Sequence, residues 1–285
     1  MRKAVHGILA ALVISALTGC ASLLTTATSG LADNLNAAIL NQDDPETVRD
    51  GAPAYLLMVD SFVEGSKDNV SMLRAAAELY AAYGIIFVDD PARAKRLTAR
   101  SLNYAQQAIC ASNDRGCGLW DLNYDAYTSQ LATLGPRDAP AMFTLGLSWL
   151  AYIQAHRDDW AALADLPQAE AALLRVRALD AEYQPSKVEH YLGIMNTLRP
   201  PALGGKFDLG RAHYERAIEL SGDADLGIKV DFARYYARGL YDRELHDRLL
   251  EEVLAADPRR PGLTLFNTLA QRSAMELLES ADDYF

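Results

Sequence analysis

Three cysteines hold most of the covalent chemistry open to this 285-residue chain. Cys20 closes the tetrapeptide Leu17-Thr18-Gly19-Cys20, directly after a short apolar run. A thiol placed behind small residues and next to such a run is set for acylation rather than acid–base work. Cys110 and Cys117 bracket Cys-Ala-Ser-Asn-Asp-Arg-Gly-Cys. The spacing is not Cys-x-x-Cys and no His lies nearby, so a local disulfide is expected ahead of a redox or metal pair, with Gly116 and Gly118 turning the chain back. The remaining reactive types do not assemble. His6 belongs to the N-terminal segment; His156, His190, His213 and His246 form no i, i+4 pair and no His-Glu-x-x-His. Gly146-Leu147-Ser148 lacks the closing Gly of a nucleophile elbow, because Leu150 stands there. Asp223-Ala224-Asp225-Leu226-Gly227 would need a bidentate Glu where Arg234 stands, so Asp225 reads as a helix cap rather than a calcium ligand. Gly204-Gly205-Lys206 is no phosphate loop: Pro200 replaces the first Gly, Phe207 the Ser/Thr, and no strand precedes it. Without a nucleophile, base and orienter the chain is not expected to be an enzyme, and no metal or cofactor is expected.

The surroundings of Cys20 fit one processing event. Arg2 and Lys3 form a basic n-region, and Ile8 to Leu17 an apolar h-region of about ten residues, half the length of a membrane span. The tetrapeptide resembles the lipobox of bacterial lipoproteins, in which the cysteine takes a diacylglyceryl group, the signal is cut before it and the new N-terminus is acylated. Residues 1–19 are then a signal peptide. Residues 20–42, small and polar at Ser22, Thr25, Thr26 and Ser29, are a lipidated tether leading to a short helix near 33–42. Residues 43–285 form the folded body. Several acyl chains make a stable anchor where one would be marginal. Ala21, in place of an Asp, favours passage to the inner leaflet of the outer membrane, facing the periplasm.

The net charge is −11, and loss of Arg2 and Lys3 with the signal leaves the mature chain more acidic still. Such a surface repels nucleic acid and anionic lipid, so contact with the membrane has to come through the anchor at Cys20. Half the residues are apolar, enough for a sizeable core.

Helical periodicity with readable ends dominates. The expected helices are 45–64, 69–87, 91–111, 121–133, 139–156, 166–181, 186–199, 206–220, 225–239, 242–256 and 262–282, an all-α chain of about eleven helices. Asp44-Pro45 and Asp90-Pro91 open helices as cap plus first-turn proline, and Ser186 with Glu189 reads as a capping box. Leu145-Gly146 with Trp149, and Leu192-Gly193, fit the first helix of a tetratricopeptide-like pair. Ala171 and Ala178, and Gly210, Tyr214 and Ala217, fit the second helix. Leu250, Val253 and Pro258, and Ala77 with Tyr80, suggest further degenerate units. The connection Arg199–Lys206 is longer than the repeat expects, with two prolines and two glycines setting its shape.

Helices 45–64 and 139–156 are apolar nearly all round, so each is expected either to be buried on two sides or to line an internal apolar space. For the second case Met58, Phe143, Trp149 and Tyr152 are the lining candidates, as adaptable thioether and aromatic walls.

Three blocks of sequence point further. Asp44-Pro45-Glu46 through Ala54, with Glu78 through Tyr83 and Phe87-Val88-Asp89-Asp90-Pro91, is the first. The second is Pro200-Pro201-Ala202-Leu203-Gly204-Gly205-Lys206 with His213-Tyr214-Glu215-Arg216-Ala217-Ile218. The third is Asn267-Thr268-Leu269-Ala270-Gln271 with Asp282-Asp283-Tyr284-Phe285. In order and spacing they resemble the TatT family, the T-components associated with tripartite ATP-independent periplasmic (TRAP) transporters. The Cys110–Cys117 excursion has no counterpart in that pattern. The resemblance implies a periplasmic lipoprotein of degenerate tetratricopeptide repeats, a homotrimer with a channel or cleft through each protomer. It further implies partnership with the substrate-binding P-component and transfer of a ligand, which could be a hydrophobic small molecule. The competing expectation is a tetratricopeptide-type scaffold lipoprotein for envelope or outer-membrane assembly.

Overall fold

A computed structural model describes residues 34–35 and 37–285. The signal segment and Cys20 lie outside the described residues, as does most of the tether; of the short helix expected near 33–42, residues 34–35 and 37–40 are helical. Every regular element among the described residues is helical. From residue 45 on, the α-helices in chain order are Pro45–Gly65 (α1), Val70–Ile86 (α2), Pro91–Ser112 (α3), Tyr124–Leu131 (α4), Ala139–Ala155 (α5) and Trp160–Ala164 (α6). Leu166–Leu179 (α7), Pro185–Thr197 (α8), Phe207–Ser221 (α9), Leu226–Asp231 (α10), Arg243–Ala255 (α11), Thr264–Glu279 (α12) and Ala281–Tyr284 (α13) follow.

Short polar side chains set the starts. Asp44 accepts from the Glu46 N–H at 3.1 Å ahead of Pro45, and Asp90 from the Ala92 N–H at 3.0 Å ahead of Pro91. Asp225 caps α10 in the same way. The capping box expected at Ser186 and Glu189 does not form. Gln184 takes a left-handed conformation before Pro185, and both side chains face other helices instead. Ser186 Oγ donates to the Ala217 carbonyl on α9, while Glu189 meets Arg177 and His213. The helix expected over 121–133 shortens to α4 behind a 3₁₀ turn, and the one expected over 225–239 stops at Asp231 and continues as a π-helical turn, Phe232–Ala237. A 3.6-residue pattern does not register a single turn widened by one residue. The short α6, capped by Asp159, was not expected.

Helices close in sequence pack as antiparallel pairs: α2 on α3, α5 on α7, α8 on α9, α11 on α12. Two of the contacts require a missing side chain. A Cβ on Gly146 would lie 2.7 Å from Leu173, and one on Gly193 3.0 Å from the Tyr214 ring. On the second helix of the first three pairs the buried residues recur at spacings of four and three: Ser101, Ala105 and Ala108; Ala169, Leu173 and Val176; Gly210, Tyr214 and Ala217. His246, Leu250 and Val253 on α11 share the spacing. This corrects the register expected for α7, where Ala178 is exposed and Leu173 is the residue that meets Gly146.

α5 is buried on nearly every side between α2, α3 and α7, as its composition requires. α1 is not. It buries Ala52, Leu56 and Val63 but leaves Leu57 72% and Phe62 50% exposed, because α1 heads the array and packs mainly on α2. Its start also reaches the far end of the chain: Arg272 on α12 pairs with Glu46 at 2.7 Å, and the Gly262 N–H donates to Asn41 Oδ1 at 2.7 Å. α1 and α12 therefore touch, and the array of helix pairs closes on itself.

Cys110 and Cys117 are joined, with Cα atoms 4.3 Å apart. The turn between them depends on Gly116, where a Cβ would meet the Ile109 carbonyl at 2.4 Å, and on Gly118 with φ +69°. Closing so short a loop stabilises the fold by about 2.5 kcal/mol in the chain-entropy account. The Cys110→Ser, Cys117→Ser double variant should lose about that much in chemical denaturation under oxidising conditions, and reductant should leave the variant's midpoint unchanged.

Candidate functional site

The four apolar residues singled out as lining candidates are not gathered in one place. Met58 sits 42% exposed on the outer face of α1. Trp149 is buried; its indole N–H donates to Asp165 Oδ2 at 3.2 Å and its ring meets Tyr127 edge-on at 6.0 Å. Tyr152 stacks on His156 at 3.9 Å between ring centres. Phe143 is buried between Tyr183 (5.7 Å) and Tyr191 (6.0 Å), so among the four it alone borders the polar set described next.

That set converges from helices distant in sequence. Arg74 on α2 donates through Nε to Thr144 Oγ1 on α5 at 3.2 Å, and through Nη2 to the Tyr183 hydroxyl before α8 at 2.8 Å. The Thr144 hydroxyl in turn donates to Glu78 Oε1 at 2.7 Å. His190 on α8 meets Asp231 Oδ2, at the end of α10, at 2.9 Å. Gln154 on α5 donates to the Tyr235 hydroxyl in the π turn at 3.1 Å, although those two elements make little backbone contact. Two of these links, His190–Asp231 and Gln154–Tyr235, join elements that make little backbone contact.

Electrostatics agree with an enclosed position. Tyr191 keeps some accessible surface, yet burial first, then the charges of Asp225, Glu78 and Asp231, push its phenol well up. Burial likewise raises Tyr183 and Tyr235. For His190 burial opposes the charged ring, but the hydrogen bond and charge of Asp231 prevail and raise it above the ordinary value. Glu189 is the reverse case: burial opposes ionisation, and His213 at 2.6 Å with Arg177 at 3.0 Å holds the carboxyl below its usual range.

This set escaped the sequence reading because each member looks like the polar face of its own helix. The available signal was a charged residue next to a tyrosine, His190-Tyr191 and Arg234-Tyr235, on helices otherwise well supplied with buried positions. The Arg199–Lys206 loop is structural: a Cβ on Gly205 would fall 2.0 Å from the Arg199 carbonyl, and Lys206 Nζ is committed to Glu170 at 2.8 Å. A separate, open groove of about 630 Å³ lies between α1 and the α2–α3 turn, where Arg93 covers the Tyr83 ring and Arg49 faces Asp89.

The inner face has hydrogen-bonding groups and aromatic walls, and among the described residues no cluster of His, Cys, Asp and Glu is arranged to hold a metal ion. No curated protein sequence matches the chain. The sequence profile of the family described as TRAP transporter T-component (TAtT) matches residues 41–285, nearly the whole described body, and the chain belongs to that family as an accessory component of a TRAP transporter.

Proposed function

We propose that the chain is a periplasmic lipoprotein, anchored through Cys20 to the inner leaflet of the outer membrane, that docks the substrate-binding P-component of a TRAP system and carries a ligand on its inner face. The family match over residues 41–285 is the observation that carries this reading. The closed array supports it, because contact between α1 and α12 gives the inner face a fixed wall instead of an open groove. The recurrent four-and-three spacing of buried residues supports tetratricopeptide-like helix pairs, a protein-binding architecture. The family resemblance extends the reading to a homotrimer. In-cell crosslinking of the full-length protein, followed by mass spectrometry, tests the docking. Capture of a TRAP P-component is the expected result. Capture of barrel-assembly or cell-wall enzymes in its place would favour an envelope scaffold and reject the transport reading.

A further inference from the structure

The turn that leads into α11 displays an aromatic side chain under backbone strain. The π-helical turn Phe232–Ala237 runs on into a 3₁₀ turn, Arg238–Leu240, and Tyr241 ends it in the left-handed conformation with φ +57°. A bulky residue is strained there, and glycine is the residue that adopts the conformation freely. The glycine of this turn stands at 239 instead, where a Cβ would lie 2.7 Å from the Phe207 ring. The strain does not serve to bury the tyrosine: Tyr241 is 70% exposed, and Leu240 before it 43%.

Two further segments join it. Gly205 stands at another edge of the same Phe207 ring, where its Cβ would be 2.8 Å away, so the Arg199–Lys206 loop and the Gly239–Tyr241 turn flank one side chain. That loop carries Leu203, 51% exposed, at the end of its own 3₁₀ turn. From the C-terminal helix, Tyr284 stacks on Tyr241 with ring centres 5.7 Å apart and is itself 41% exposed. The Tyr284 hydroxyl donates to the Arg238 carbonyl at 3.2 Å, and the Arg238 guanidinium covers the Tyr284 ring at 4.6 Å. Arg238 is fixed in turn by the Leu277 carbonyl at 2.7 Å and Ser280 Oγ at 2.8 Å. Single exposed apolar residues are ordinary, but Leu203, Leu240, Tyr241 and Tyr284 are held together on constrained backbone beside an arginine. That is the composition of an interface hot spot.

Charge at the edge of the patch selects the partner. Asp208, Glu244 and Asp283, close to the patch residues in sequence, are exposed, and none of them is in an ion pair among the described residues. The nearby Arg243 is committed to Asp247 and Asp282. A second copy of this acidic chain, net charge −11, would bring the same carboxylates against them and be repelled. We propose that this patch is the surface on which the P-component docks, and that the P-component meets it with an apolar pocket rimmed by basic side chains. The inference rests on the docking reading above and gives that docking a place.

Calorimetric titration of the purified protein with the P-component of its own TRAP system tests the patch. Tyr241→Gly should leave the denaturation midpoint unchanged or raise it, because glycine relieves the left-handed backbone. The same variant should weaken the P-component about 30-fold, a separation of binding from stability that a purely structural tyrosine would not give. Leu240→Glu, which sets a charge in the apolar centre, should weaken binding comparably and stays informative if the glycine variant folds poorly. Trp160→Ala, which removes an equally exposed ring on α6, should bind as the unaltered protein does. Unchanged affinity in both Tyr241→Gly and Leu240→Glu would overturn the patch and leave the docking reading in place. Loss of self-association in sedimentation, with P-component binding retained, would assign the patch to a contact between copies and overturn it as well. Undetectable binding by the unaltered protein would remove the docking reading and this inference together.

Discussion

Replacing Tyr214 by alanine is expected to lower the unfolding free energy by about 3–5 kcal/mol, measured by chemical denaturation. Tyr214 is fully buried at the centre of the α8–α9 pair. Its ring lies against Gly193, stacks on Phe232 in the π turn at 4.9 Å, and carries a hydroxyl 3.2 Å from Thr197 Oγ1. Removing the ring opens a cavity in a contact where Gly193 offers no side chain to fill it, so the walls collapse poorly. Tyr214→Phe separates packing from hydrogen bonding. It keeps the ring and leaves Thr197 its bond to the Gly193 carbonyl at 2.9 Å, so a loss of about 1 kcal/mol is expected. If alanine and phenylalanine cost the same, the ring contact with Gly193 and Phe232 does not hold this pair together.

The second large effect concerns the anchor. If Cys20 is acylated as proposed, Cys20→Ser should remove the acylation site and leave the unprocessed signal, and the lipid mass and outer-membrane fractionation expected of the unaltered protein should both be lost. Several acyl chains at about 0.8 kcal/mol per buried methylene hold a protein to a bilayer. No described helix is long and apolar enough to cross a membrane. Labelling with a radiolabelled or clickable fatty acid gives the readout, and a labelled Cys20→Ser protein would show that the lipid is attached elsewhere.

Local rules made the helices legible in the sequence. Asp44-Pro45, Asp90-Pro91 and Asp225 each cap where expected, since a cap depends on a few neighbouring atoms. Gly146 and Gly193 were legible as close-approach positions because a small residue in an apolar stripe has few other uses. Ser186 and Glu189 failed as a capping box because better partners arrive from α7 and α9, and no local pattern reports a tertiary partner. The exposed Leu57 and Phe62 failed for the same reason: composition demanded burial, and the place of α1 at the head of the array leaves that face without a neighbour within the chain. The inner face was the least legible part. Arg74, Thr144, His190, Asp231 and Tyr235 become one surface only when five segments are brought together and α12 meets α1.

That closure also bears on what the protein can do. An array whose ends touch holds Arg74, Glu78, Asp231 and Arg234 at fixed positions. It also leaves the outer faces, among them the exposed side of α1 and the groove beside the α2–α3 turn, open to a protein partner.

The most direct measurement is sedimentation or calorimetric binding between the purified protein and the P-component of its own TRAP system. Saturable association at a fixed stoichiometry per protomer, absent with an unrelated periplasmic binding protein, is the predicted result. Failure of the two to associate, with and without the solute bound to the P-component, would contradict the account.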